Sequence, residues 1–394
     1  MVGLFVWGTL ACQSHHKAPE NRAIGVTGTD VVIGMTAATT GHASFLGDQT
    51  YRGAQAWFNE VNQSGGVAGR RIKVVLRDDA YEPARTAFNV QKLLVEDGAF
   101  ALFGLVGTPT SVKALPLVER ARVPTLGLFT GAEALRNPQR SWVFHVRDSY
   151  YAECEAAVGH FIDRLKLSRV SVLYQEDAFG QAVLSGIQLA LKRRNMAPVS
   201  ATSFVRGSMA VEQPLAQLRA SNPDVYLMVG TYGPLAKFAA LAISENSRAQ
   251  FHTVSFVGSE AYARELTITQ KISQAAYERI LVTQVVPSPN DEQYAGVRQF
   301  RTLFAKSFPG EAPNYVALEG FIDARVMTAA LEKAGALLNR DTFANALEHS
   351  KELDFGIGQR ISYDAANHVG MSGVFLSRLT SDGTFRTFDS RGAR

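Results

Sequence analysis

Cysteine is almost missing from the chain: 394 residues contain two, Cys12 and Cys154. No disulfide framework follows, and Cys154, alone in a helical pattern without a positioned histidine, reads as a small buried hydrophobe and not as a nucleophile. Long apolar runs are missing too. The stretch Val2 to Leu10 falls short of the ~20 residues that a membrane-spanning helix needs. Nor is there an excess of one charge: 40 Lys and Arg stand against 36 Asp and Glu, a net charge of +4. The basic residues are spread along the chain, and the one cluster, Lys192-Arg193-Arg194, closes a helical pattern where cations complement the helix dipole. Nothing in this distribution marks a nucleic-acid binder. Catalytic signatures are equally scarce: no Gly-x-Gly-x-x-Gly after the first strand, no P-loop, no Gly-x-Ser-x-Gly, and no histidine pair at metal spacing in the globular part. His15 and His16 are adjacent on a polar segment and do not converge on a metal. Of the eight histidines, the other six (His42, His145, His160, His252, His349 and His368) are scattered without a Ser or Cys partner. No catalytic residue, metal or cofactor is expected.

What the chain does have is core-forming material, 46% hydrophobic and 10% aromatic residues. At ~150 residues per domain its length corresponds to roughly two to three domains. From Asp30 strand-like and helix-like patterns alternate. Val31 to Thr36 reads as a strand, Thr40 to Asp48 as a loop, and Ala54, Trp57, Phe58 and Val61 as a helix face. Arg71 to Arg77 forms a second strand ending at Asp78-Asp79, whose side chains point to opposite faces and suit a turn better than an acid-base pair. Ala99 to Val106 is a nearly continuous apolar run, the pattern of a parallel strand covered on both sides. Gly107 ends it. Thr108, Thr110 and Ser111 then offer hydroxyls and free N–H groups at a helix start, an arrangement that attracts anions, carboxylates included. Val123 to Leu128 is the next strand, followed by Thr130-Gly131. Repeated βα units imply parallel sheets with helices on both faces, so the loops at Gly41, Gly107 and Thr130 belong on one rim.

A second series starts near Asp148. Tyr150 to Leu165 is amphipathic, and strands at Val170 to Tyr174, Val225 to Val229 and His252 to Val257 feed loops at Gln175–Gly180, Gly230–Pro234 and Gly258–Glu260. The expected fold class is therefore α/β, two doubly wound parallel-sheet lobes facing each other across a cleft.

These pieces together resemble a type I periplasmic substrate-binding protein of ABC importers, in the branched-chain amino-acid-binding (Leu/Ile/Val-binding) family. The likeness runs from Asp30 to Arg386 and rests on ordered motifs: Asn62 to Gly69 with Gly-Gly-Val-x-Gly, Asp78-Asp79, Gly104 to Ser111, Asp177 to Gly180, and Phe256 to Glu260. It implies three hinge segments near Val146, Val282–Val286 and Gln359–Gly373. The first lobe would be 29–146 plus 284–362, the second 147–283 plus 363–394. It also implies ligand contacts. Thr108, Thr110, Thr130 and Gly131 would hold a carboxylate; Phe179, Tyr232 and Glu260 would close over the rest, Glu260 opposing an ammonium. Leu46, where relatives carry Tyr, and Phe45 beside it would make the pocket more apolar, with Ser44 or Tyr51 able to compensate. The implied function is a monomeric binder that gives a small amphipathic, amino-acid-like ligand to a membrane permease. A ligand sensor of the same fold is the alternative, and an enzyme on a similar scaffold a third.

The start of the chain resembles a bacterial lipoprotein signal. Thr9-Leu10-Ala11-Cys12 makes Cys12 the expected lipid attachment point, although Thr9 replaces the usual Leu and no Lys or Arg precedes the apolar run. Gln13 to Gly28 is polar and aperiodic, as a tether would be, so residues 1–28 form the signal and tether of an extracytoplasmic, membrane-anchored protein.

Overall fold

Residues 23–388 are described by a computed structural model; Cys12, the Val2–Leu10 run and His15-His16 lie outside them. Strand β1 (Asp30–Ala37) is the axis of the first sheet, with Val31, Ile33 and Met35 fully buried. Helix α1 (Ser44–Gln63) leads to β2 (Arg71–Asp78), and α2 (Pro83–Val95) to β3 (Ala101–Phe103). Helix α3 (Thr108–Ala121), β4 (Thr125–Leu126) and β5 (Val143–Phe144) complete an all-parallel sheet in the order β2-β1-β3-β4-β5. Two apolar runs pair over less of their length than their composition predicts. Gly104, at φ +60°, and Gly127, at φ +70°, interrupt the regular ladder between the Ala99–Val106 and Val123–Leu128 runs, which pair again at Val106 and Phe129. Helix α1 also starts earlier than expected, at Ser44, inside the predicted loop.

After β5 the chain crosses to a second sheet. Helix α4 (Tyr150–Val158), whose amphipathic pattern continues as a wider π-type turn over Gly159–Arg164, precedes β6 (Val170–Gln175). Then follow α5 (Ala178–Lys192), β7 (Ser200–Phe204), α6 (Glu212–Arg219), β8 (Val225–Val229), α7 (Tyr232–Ser244), β9 (Gln250–Thr253), α8 (Ser259–Arg264) and β10 (Ile280–Gln284). From β10 the chain returns: α9 (Ala295–Ser307) and α10 (Tyr315–Ala334) pack on α1, and α11 (Arg340–Glu348) on α10. A small hairpin, β11 (Leu353–Asp354) and β12 (Arg360–Ile361), precedes the last crossing. Strands β13 (Phe375–Leu379) and β14 (Phe385–Phe388) extend the second sheet antiparallel, in the order β14-β13-β10-β9-β8-β6-β7.

The last crossing comes later than residue 363. His368 and Val369 run along the end of β5, where the His145 N–H donates to the His368 carbonyl at 2.8 Å and the Gly370 N–H to the His145 carbonyl at 2.8 Å. The His368 ring stacks on Phe144 with centroids 4.0 Å apart, and Tyr363 meets Phe144 at 6.1 Å. These ring contacts hold Tyr363 and His368 against the first sheet, and the chain then crosses beside Val146 and Asp148, where the Met371 and Gly373 N–H groups donate at 2.8 Å each.

Cys154 is buried in α4 against the Val183 carbonyl, and burial pushes its thiol pKa up, the environment of an inert core residue.

Candidate functional site

The C-terminal ends of β3 and β4 place Thr108 and Thr130 side by side. Gly107, at φ +99°, opens α3; a Cβ there would lie 2.2 Å from Cε2 of Tyr81, so only glycine permits this turn. The Thr108 and Thr130 hydroxyls are buried and 2.7 Å apart. Thr110 is buried too, but its hydroxyl donates to the Val106 and Gly107 carbonyls and so caps its own turn instead of facing outward. Gly131 accepts the Tyr150 N–H at 2.8 Å, and a Cβ on it would sit 2.5 Å from that nitrogen. The missing Cβ lets α4 approach.

From the second sheet, Asp177 caps α5 through the N–H groups of Phe179 and Gly180. Phe179 is fully buried, 4.5 Å from Phe256 and 5.4 Å from Tyr150. Phe256 also reaches the first lobe's Phe129 and Tyr81, at 5.7 and 5.9 Å. A ring from one rim is thus packed among rings of the other.

Phe45, Leu46, Tyr232 and Glu260 form a second group further out. Phe45 meets Tyr232 edge-on at 6.4 Å. A Cβ on Gly258 would lie 2.6 Å from Leu46 and 3.2 Å from Phe45, so the rims touch here. A cleft of about 700 Å³ opens beside them, lined by Ser44, Phe45, Asp48, Tyr232 and Glu260. One Glu260 oxygen, Oε1, accepts the Tyr315 N–H at 3.0 Å at the start of α10. The other, Oε2, is sealed from water without a partner among the described residues. Burial pushes the Glu260 carboxyl up to about 7, against the pull of the Tyr315 N–H.

Behind both groups, the crossings are pinned by Arg147. Its guanidinium is buried, 3.0 Å from Glu153 of α4 and 3.3 Å from Glu319 of α10, and also bonds Ser255. Glu153 in turn accepts from the Ser255 N–H and the Thr283 hydroxyl, each at 2.7 Å. The sequence pattern singles out neither this ion cluster nor Tyr81 and Arg206, and it names Gln175 and Phe256 only as the ends of a loop and a motif. Each acquires its place only when the two sheets meet.

The family profile described as periplasmic binding protein matches residues 30–384. The chain belongs to the periplasmic binding protein family. This is a family of binding proteins, not enzymes. This binding protein is 24% identical over 316 residues to an amino acid binding protein of Pseudomonas aeruginosa, covering 78% of this chain and 79% of the relative. It is 24% identical over 338 residues to the Leu/Ile/Val-binding protein BraC3 of Rhizobium johnstonii, covering 84% and 86%. Among solved structures, a possible leucine/isoleucine/valine-binding protein from Rhodopirellula baltica superposes with a TM-score of 0.86 at 29% identity, over 95% of this chain and 99% of that one. The Streptococcus pneumoniae branched-chain amino acid transporter substrate-binding protein LivJ, solved with isoleucine, shares the fold, with a TM-score of 0.78 at 17% identity over 91% and 99%. Among the described residues no helix is long and apolar enough to cross a membrane.

Proposed function

We propose that this periplasmic binding protein captures an amino acid or a close relative between its two lobes and presents the closed form to the permease of an ABC importer. Glu260 carries the reading. A carboxylate that holds one oxygen on a backbone N–H and keeps the other sealed beside a cleft, with no partner among the described residues, suits a ligand ammonium, because a buried ammonium needs an opposing charge. The Thr108–Thr130 pair at the start of α3 supplies uncharged donors for the ligand carboxylate, with Thr130-Gly131 and the α3 N–H groups. Phe45, Leu46 and Tyr232 supply apolar walls; Phe179, fully buried against Phe256 and Tyr150, packs inside the rim. The relatives named for amino acids or for Leu/Ile/Val support the ligand class.

Contacts to both rims bias an open-to-closed equilibrium about the three crossings. The lobes in this reading are 29–146 with 284–362 and 147–283 with the tail, which joins the second sheet at Phe375. Cys12 anchors the mature chain to the membrane, and an acylated Cys12 at the N-terminus of the mature protein, read by mass spectrometry, is the expected finding.

The test is a thermal-shift screen of the purified chain against amino acids, small peptides, amides and aromatic acids. A true ligand at ~100 times its Kd adds about 2.7 kcal/mol of stability. No shift across the panel would remove the amino-acid reading.

A further inference from the structure

One side chain of the second lobe reaches across to the first without taking part in the ligand contacts above. Arg206, just beyond β7, keeps only 17% of its side chain exposed. Its own lobe fixes its base, for Nε stands 3.3 Å from Oδ2 of Asp177. Asp177 is itself held in place, accepting the Phe179 and Gly180 N–H groups at 2.9 and 3.0 Å and the Gln175 Nε2–H at 2.6 Å. From there the guanidinium crosses to the first lobe, where it lies 4.6 Å from the centroid of the Tyr81 ring and its Nη1 meets the Glu82 carboxylate at 3.3 Å. The second lobe holds Tyr81 at two more points: its hydroxyl is hydrogen-bonded to the Gln175 side chain, and its ring lies 5.9 Å from that of Phe256. Beside Arg206, Gly207 comes so close to the loop before α1 that a Cβ on it would lie 3.5 Å from the His42 ring.

All of these cross-lobe contacts are made by protein groups alone, so they favour the closed arrangement with or without a ligand. Their strengths differ. Glu82 is half exposed, and an ion pair at that exposure is weakened by water and by salt. The contact with Tyr81 is better protected, because the ring is fully buried and a guanidinium is drawn more strongly to a desolvated aromatic face than to an exposed one. Arginine suits the position: its planar group stacks on a ring while its N–H groups address carboxylates, which the compact ammonium of lysine does less well. Opening the cleft would break the Tyr81 and Glu82 contacts and leave Arg206 with Asp177 alone. We propose that Arg206 is a positioning residue for ligand capture, a latch that holds the two lobes together across the cleft before a ligand enters. This rests on the closure reading above and adds to it that the closed form is the major one in the free chain, so ligand entry waits on release of the latch.

Small-angle scattering of the purified chain, with no ligand added, tests it. In Arg206→Met, which keeps the length of the stem and removes the charge and the planar group, the closed-to-open ratio fitted to the scattering curve is expected to fall about tenfold or more, with a larger radius of gyration. Glu82→Gln removes only the rim ion pair; its loss is expected to be smaller and to vanish near 1 M salt, where the Debye length is about 3 Å. Arg206→Lys should recover the Glu82 share alone. An unchanged radius of gyration in Arg206→Met, with a lowered melting temperature, would make Arg206 a brace within the second lobe and overturn the latch. So would an unmutated chain that is mostly open before ligand is added; both results leave the closure reading standing as long as a hit from the amino-acid screen compacts the chain. Curves that neither these variants nor any compound of the screen alters overturn both. Should Arg206→Met fail to fold, Glu82→Gln decides, since a half-exposed rim residue tolerates the change and the absence of any salt-dependent opening overturns the latch.

Discussion

At the scale of single residues, the proposed function makes Glu260 link ligand binding to protons. Its carboxyl rises from 4.5 to about 7 in the fold, because burial disfavours the charge. Between those values the folded protein holds a proton that the unfolded chain has released, so the group's contribution to stability falls as pH rises through this window and levels off above it. A bound ammonium reverses the preference, since it stabilises the carboxylate. Binding near pH 6 should therefore release a proton, and affinity should rise between about pH 5 and 7. Calorimetry in two buffers of different ionisation enthalpy measures the release; Glu260→Gln should abolish it and weaken binding by about 2–5 kcal/mol. Release of the same size in the variant would remove Glu260 from the site. The rim position of Glu260, Tyr232 and Phe45 was legible in the sequence, because each follows a strand of a parallel sheet. Tyr81 and Arg206 were not. Tyr81 sits in a left-handed turn, at φ +64°, with no glycine to flag it, and Arg206 finds Glu82 only across the cleft. Thr110 shows the converse: its local signal was real, but a helix start can satisfy a hydroxyl by itself.

At the scale of elements, the alternation of strand and helix patterns was readable because both sheets are built from sequential βα units. The close contact of α1 with α10 was not, since it joins segments far apart in the chain. Two glycines mark it. A Cβ on Gly53 would lie 1.8 Å from the Ala317 carbonyl oxygen, and one on Gly320 would lie 2.2 Å from that of Thr50. In both cases the obstacle is backbone, which cannot rotate aside. Gly53→Ala should therefore cost about 3 kcal/mol, towards the upper end of overpacking penalties, despite the better helix propensity of alanine. Urea denaturation measures it, with Gly28→Ala as the control, since nothing lies within 4 Å of a Cβ there. A loss below about 0.5 kcal/mol would mean that the two helices are not held at this distance.

At the scale of the whole molecule, two features set how the lobes relate. Arg147 ties α4 of one lobe to α10 of the other through Glu153 and Glu319, all three buried. Arg147→Met leaves both carboxylates without their cation and should destabilise the fold by about 3–5 kcal/mol at neutral pH. The deficit should grow as pH rises from about 6 to 8, because Glu319, pushed up to about 7 by burial, ionises there only with the Arg147 cation beside it; a deficit constant over that range would argue against charge as its cause. Gly258 is the second feature and acts at the mouth of the cleft. It combines φ +72° with an approach that would put a Cβ 2.6 Å from Cδ2 of Leu46, a buried side chain of the opposite lobe that would have to shift. Gly258→Ala should then have two effects that can be separated. The backbone strain, on the order of 1 kcal/mol, is local and lowers stability with or without ligand. The clash with Leu46 arises only when the rims touch, so it should weaken ligand binding about tenfold or more and shift the scattering-derived radius of gyration towards an open form. Adding Leu46→Ala removes the clash but not the strain. Partial recovery of affinity in the double variant, with stability still reduced, is the expected outcome; affinity that stays low would show that Gly258 is needed for its backbone conformation alone.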